Sequence, residues 1–427
     1  RPRARTRPVR PTPPATPAAP SKPAAYAGDG ERVVLVGGEL HTGDGVIINN
    51  SVVELHGTFG VVARQGDAQL SGARVIDVTG KHLTPGFIAA DTNLGLVEID
   101  LEDSTRDDAR AVGQPTVDLI RAGHDTSLAI HEDSSLIQIQ AIEGVTSAAV
   151  TPSGGLIAGQ VTWIDLLHGD AALVHKAGVA VRATLGRAYG GSRSATLSKL
   201  AETLSDARLY QTRKPAHERG ESRELAAHHL DLEALAPVLR GQTPLALTAH
   251  RASDIRAALE LARRYDLEIV IIGGTEAWKE AEALARARVP VILQPTQNLP
   301  GSLDKLGARL DAAALLDEAG VIVAITAGGA HNVRNLRQEA GVAVAHGLPW
   351  ERALTAATLN VARAYRMDRE YGSVTTGKVA NLVVWSGDPL ELSSQAERVF
   401  IRGRAIPMVS RQTLLRERYR DLSRFSP

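Results

Sequence analysis

The sequence predicts an α/β protein: a TIM-type (β/α)8 barrel carrying a small composite β-sandwich domain built from both chain ends. Three observations lead there. Over residues 86–365, short apolar runs alternate with stretches of helical period, the rhythm of a parallel sheet covered by helices. Segments of β character lie before and after that alternation. The chain has 427 residues, 44% hydrophobic and 22% charged, enough for one large core and a second, smaller one.

In order along the chain, residues 1–30 form a Pro/Arg/Ala-rich tail. Its first 23 residues hold eight prolines and five arginines, too little apolar surface to offset the entropy of ordering, so a disordered tether is expected. A signal peptide removed upstream of such a spacer gives the expected location, periplasmic or secreted; the alternative is cytoplasmic. From Arg32, "RVVLVGGELHTGDGVIINNSVVELHGTFGVVA" shows Val/Ile runs broken by Gly, Asp and Asn turns, and so reads as strands. Residues 31–85 and 366–407 are expected to share one β domain. Barrel strands are expected at 86–90, 145–150, 178–184, 245–249, 268–272, 290–293 and 321–326. The eighth is expected within 185–240, where no single run stands out. Helices are expected at 253–265, 276–287, 311–318 and 350–365. The closing segment, 408–427, reads as a surface helix over 410–424.

The bulk numbers exclude several classes. Lys+Arg and Asp+Glu are both 48, so nothing in the charge balance points to nucleic acid or a charged membrane surface. No apolar run reaches the ~18–20 residues that would span a bilayer. With no cysteine, disulfides, thiolate metal sites and cysteine nucleophiles are ruled out.

Six phrases in order carry a more specific message: the N-terminal "VVLVGGELHTGDGVIINNSVVELHG", "LTPGFIAADTNLGL" (83–96), "IEGVTSAAVTPSGGLIAGQ", "ERALTAATLNVARAY", "GSVTTGKVANLVVWSGDPL" and "RVFIRGRAI". Together they resemble the amidohydrolase superfamily, in its imidazolonepropionase-like and prolidase-like branch, over residues 32–407. The resemblance implies metal-assisted hydrolysis of C–N bonds. One or two divalent ions would sit at the C-terminal strand ends, and an aspartate of strand 8 would take the proton of the bound water.

This chain departs from the family at each of those places. P-G-[FL]-I-D-x-H-x-H delivers two histidines in the family, where this chain has Asp91 and Asn93. In "TAHRASDI" Thr248 takes the usual ligand position and His250 is the second histidine. "IIGGTEA" puts Gly273 at the strand-6 histidine, and "TAGGAHN" puts Ala327 or Gly328 at the aspartate. The strand-4 lysine or glutamate has no evident counterpart. A histidine-rich zinc site is therefore not expected, and no cofactor is assigned. Asp91 and Asn93, two apart on a strand and so on one face, remain candidates for a divalent cation. The acids Glu98, Asp100, Glu102, Asp103, Asp107 and Asp108 nearby would add oxygen donors, or simply form a solvated loop.

The candidate catalytic residues are Asp91, His250 and His331. Asn93, Arg251, Asn332 and Arg334 are the candidate substrate contacts. His331 to Arg334 follow strand 8, where imidazole and guanidinium groups suit a carboxylate ligand, or where Asn332 caps the next helix. The glycines of "TPSGGLIAGQ" suit either an anion-binding backbone or a turn with positive φ. Two functions stay open. One is a catalytically silent barrel that binds a small-molecule ligand or partners an active paralogue, as a homo-oligomer or a paralogous amidohydrolase complex. The other is a hydrolase of amide or cyclic amide bonds working with atypical residues.

Overall fold

The computed structural model describes residues 31–66, 72–108, 119–189, 191–221 and 223–420. The expected tether at 1–30 and the end of the closing segment lie outside them. Eight strands form one sheet in sequence order: β1 Phe87–Thr92, β2 Val145–Val150, β3 Ile157–Asp165, β4 Val174–Thr184, β5 Leu245–Ala249, β6 Ile269–Gly273, β7 Val291–Leu293 and β8 Val323–Ile325. The seam between β8 and β1 is bridged where Thr326 Oγ1 donates to the Asp91 carbonyl at 3.2 Å. The barrel is thus nearly closed.

The expected strands all appear within a few residues of their predicted ends, but the eighth does not lie within 185–240. That region holds helices, among them Arg193–Glu218, His229–Ala234 and Ala236–Leu239. The missing strand is β3, antiparallel to both β2 and β4. The connections dictate its direction. A parallel crossover needs a dozen or more residues. Only residues 151–156 separate β2 from β3, turning through Gly154 (φ +89°) and Gly155 (φ +69°), and only residues 166–173 separate β3 from β4.

Alternate residues of the strands divide between two cores. Ile88, Ala90, Trp163, Ala180, Ala246 and Ile272 pack inside the barrel with Tyr365 and Tyr371. Ala89, Val150, Val181, Leu247, Ile271 and Ile325 pack outward against helices. The single helix expected at 350–365 is two, Trp350–Ala356 and Leu359–Ala364. The Ala357 carbonyl between them accepts from the Ile88 N–H of β1, and Asn360 Nδ2 donates to the Val323 carbonyl at 2.8 Å. These bonds cap the amino end of the barrel and lift Tyr365 into it, where its hydroxyl meets the Ala90 carbonyl at 2.5 Å. The stretch 276–287 divides similarly, into a 3-10 turn Ala277–Glu280 and helix Ala281–Ala287.

Both chain ends contribute to the second unit. A four-stranded sheet runs in the order Thr58–Arg64, Ser51–His56, Val33–Val36, Arg74–Asp77. A six-stranded sheet places Leu382–Trp385 and Ala396–Ile401 beside His82–Pro85 and Glu39–His41. Their inner faces meet through Leu35, Leu55 and Phe59 on one side and Leu40, Leu83 and Phe400 on the other, as in a β-sandwich. The sandwich is tied to the barrel floor by a buried ion pair. Asp165, fully buried at the end of β3, accepts from Arg402 Nε (2.6 Å), Tyr371 Oη (2.9 Å), Ser147 Oγ (2.8 Å) and Asn381 Nδ2 (3.0 Å). Every lone pair of a carboxylate that burial would otherwise penalise thus has a donor.

Candidate functional site at the barrel mouth

The carboxyl ends of the seven parallel strands gather on one face, where barrel active sites form. Asp91, at the end of β1, has its carboxylate 3.3 Å from Arg182 Nη2 on β4, the two side chains keeping only 21% and 13% of their exposure. Arg182 is a residue the sequence reading missed. Its one trace is a lone charge inside the apolar run "VAVRAT". Its Nη1 is shut off from solvent and has no hydrogen-bond partner.

Asn93 turns to other partners. Its Oδ1 accepts from the Ala330 N–H at 2.8 Å, and its Nδ2 donates to buried Asp108 at 3.3 Å. Asp108 also accepts from Ser153 Oγ at 3.1 Å. A register shift between Ala89 and Thr92 in the β1–β2 pairing precedes this divergence, so Asp91 and Asn93 engage separate groups although they are two apart. The acidic loop is likewise dispersed. Glu98 holds the hydroxyls of Ser134 and Ser135, and Glu102 caps the turn at Ser104. Among the described residues, no three of these carboxylates come within ligand distance of one another.

His250 follows β5 and shares a 2.8 Å hydrogen bond between its Nδ1 and Thr275 Oγ1. Burial, then the nearby positive charges of Lys305 and Arg182, pushes its pKa down to about 4, against the opposing pull of Asp304, so the ring is neutral at pH 7. The ring occupies the space beside Gly273: a Cβ placed there would lie 2.5 Å from His250 Cε1, and Gly273 has φ +87°. Glu276, a second residue the sequence reading passed over, accepts from the Ala252 N–H at 3.0 Å and so fixes the start of helix Ala252–Tyr265. Although burial acts to raise it, its carboxyl is held low by the bonds from Ala252 and Lys279.

The remaining predicted residues spread around the rim. Arg251 is the residue before helix Ala252–Tyr265. His331 and Asn332 are exposed in the 3-10 turn Ala330–Asn335, which Gln140 pins through the Ala330 carbonyl (2.9 Å) and the Arg334 N–H (2.6 Å). Arg334 Nη1 donates to Gln412 of helix Arg411–Tyr419 at 3.2 Å, which draws its guanidinium toward the C-terminal helix. The glycines of "TPSGG" serve the hairpin turn into β3, with positive φ at Gly154 and Gly155. Thr326 receives the Gly328 N–H at 3.3 Å, and Ala327 and Gly328 bring no acid to the end of β8.

A mostly parallel eight-stranded barrel with a sandwich drawn from both chain ends, and with polar side chains at the carboxyl ends of its strands, is the architecture of a barrel-type hydrolase. The chain belongs to the amidohydrolase family, whose model matches residues 83–409. It is 27% identical over 368 residues to the amidohydrolase tasK of Hapsidospora irregularis, covering 74% of this chain. The match takes in 36% of tasK, so the chain spans about a third of that relative's length. An amidohydrolase structure from Thermotoga maritima MSB8 superposes with a TM-score of 0.78 at 25% identity, covering 88% of this chain and 99% of that one. A structure described as a prolidase from Bifidobacterium longum shares the fold, with a TM-score of 0.57, 18% identity, and 91% and 99% of the two chains covered.

Proposed function

We propose that this chain is a catalytically silent amidohydrolase-family barrel whose mouth binds a small anionic ligand. The observation that carries the reading is the Arg182–Asp91 pair: a fixed guanidinium stands against the strand-1 residue that the family would use as a metal ligand. A cation of the protein's own has taken the partner a metal would need. The other donors fit zinc no better. Asn93 is committed to Ala330 and Asp108, Gly273 has no side chain, and Ala327 and Gly328 supply no base. Zinc sites need three or four converging N, S or O donors. Here His250 is the one imidazole placed by the family motifs, and its Nδ1 is engaged with Thr275.

The unpartnered, buried Nη1 of Arg182 supports the binding half of the reading. A buried donor without a partner is costly, and a side-chain shift that turned it toward the mouth, where Lys305 and Arg182 both act on His250, would let a carboxylate ligand supply the acceptor. The direct test supplies the purified chain with Zn2+ or Mn2+ and offers it N-acyl amino acids, dipeptides and small lactams, alongside thermal-shift screening with small carboxylates. The expected result is no hydrolysis above background and a carboxylate-dependent rise in melting temperature that disappears in R182M. Metal-dependent turnover that D91N abolishes would overturn the proposal.

A further inference from the structure

Away from the mouth, where the sandwich meets the barrel, two histidines and two glutamates converge. Glu39 and His41 are two apart on strand Glu39–His41, so both side chains leave the same face. His82 opens strand His82–Pro85 and pairs in parallel register directly with Glu39. The opposite face of both strands, through Leu40 and Leu83, is the sandwich core. Glu351, from barrel helix Trp350–Ala356, approaches from across the junction.

The distances pose a problem that the side chains do not solve among themselves. His41, nine-tenths buried, has a carboxylate on each ring nitrogen: Glu351 Oε1 at 3.1 Å from Nδ1 and Glu39 Oε1 at 2.9 Å from Nε2. A neutral imidazole has one N–H and one lone pair, so one of those contacts sets a lone pair against a carboxylate. His82 Nδ1 lies 3.4 Å from the same Glu39 oxygen, yet is shut off from solvent and makes no hydrogen bond. If His41 donates from Nε2 to Glu39, its Nδ1 lone pair faces Glu351; if it donates from Nδ1 to Glu351, its Nε2 lone pair faces the Glu39 oxygen beside the unbonded His82 Nδ1, so no neutral tautomer of His41 satisfies both carboxylates.

We propose that Glu39, His41 and His82 form a zinc-class divalent cation site. The ion takes the His41 Nε2 and His82 Nδ1 lone pairs and a Glu39 oxygen, with water in the fourth position. Glu351 accepts the His41 Nδ1–H, which fixes the tautomer that leaves Nε2 free to ligate, the usual carboxylate–histidine–metal arrangement. The spacing suits it. Tetrahedral Zn2+ with bonds of ~2.0–2.1 Å holds neighbouring donors about 3.3 Å apart; the Glu39 oxygen lies 2.9 and 3.4 Å from the two ring nitrogens, and all three donors lie within 4.8 Å. Two imidazoles and one carboxylate favour zinc over magnesium or calcium, which prefer all-oxygen shells. Because Glu351 belongs to the barrel and the three ligands to the sandwich, the His41–Glu351 hydrogen bond ties the site to the barrel.

The test uses the full chain, stripped with chelator and titrated with Zn2+ against a chromophoric competitor. One equivalent is expected to bind, raising the melting temperature in step with free zinc. E39Q and H82A, both at part-exposed positions, should each weaken binding at least tenfold. E351Q should cost roughly 10–100-fold, as loss of an orienting partner does. The D91N/H250Q double variant should bind zinc like the unaltered chain, which separates this site from the barrel mouth and leaves the silent-barrel reading to its own assay. Circular dichroism of zinc-free E39Q and H82A matching the stripped wild type would confirm that folding is not the cause. No stoichiometric binding, or binding that survives both E39Q and H82A, would overturn the proposal.

Discussion

The Asp91–Arg182 pair can be tested energetically by a double-mutant cycle with D91N, R182M and both together. At 3.3 Å and an effective dielectric near 20, two unit charges attract by about 5 kcal/mol before desolvation. Both side chains are mostly withdrawn from water, and the loss of their hydration offsets more than half of that. A coupling of ~1.5–2.5 kcal/mol remains. R182M strands Asp91 beside the buried Tyr365 hydroxyl, and D91N strands a guanidinium that already has one unpartnered nitrogen. Each single change is expected to lose roughly 2–4 kcal/mol, because removing one member leaves a poorly solvated charge. The double variant should lose clearly less than the sum of the two. Urea unfolding followed by tryptophan fluorescence is the assay, Trp163 being fully buried inside the barrel. Additivity of the two single changes within ~0.5 kcal/mol would refute the coupling and remove the argument that Arg182 takes the place of a metal.

G273H should create no zinc affinity at the mouth and should lower the melting temperature, since a side chain at φ +87° strains the backbone and its Cβ would meet the His250 ring; elemental analysis and a thermal melt check both. The His250 pKa of about 4 lies below the unfolded value near 6.5, so the unfolded chain takes up the proton first. That contribution to stability is intact above pH 6.5 and fades as pH falls toward 4. For a ring partly open to solvent it amounts to about 1–2 kcal/mol, and H250Q should flatten unfolding free energy across that window. R402M leaves the Asp165 carboxylate buried without its cation and is expected to destabilise by ~3–5 kcal/mol, read as a drop in urea midpoint; a change under ~1 kcal/mol would mean that Tyr371, Ser147 and Asn381 alone suffice.

The sequence by itself determined the family, the order of the strands and most of their ends. Those are local properties. An apolar run such as "VTSAAV" and a helical repeat such as "SDIRAALELARRY" each state their own period and buried face. The absence of the usual histidines was equally local, since Asp91, Asn93, Gly273 and Gly328 stand within recognisable phrases.

Three matters were decided only by the tertiary structure. The direction of β3 follows from connections too short for a crossover. "TPSGGL" contained that information, but as a length constraint and not as a pattern. The partners of Asp91 and Asn93 are 91 and 237 residues away, and no periodicity encodes which side chains a closing barrel brings together. Glu39, His41 and His82 meet because two strands 41 residues apart pair in one register and a barrel helix some 270 residues further on supplies Glu351. Sequence sets which face each residue takes; packing alone sets what stands opposite it.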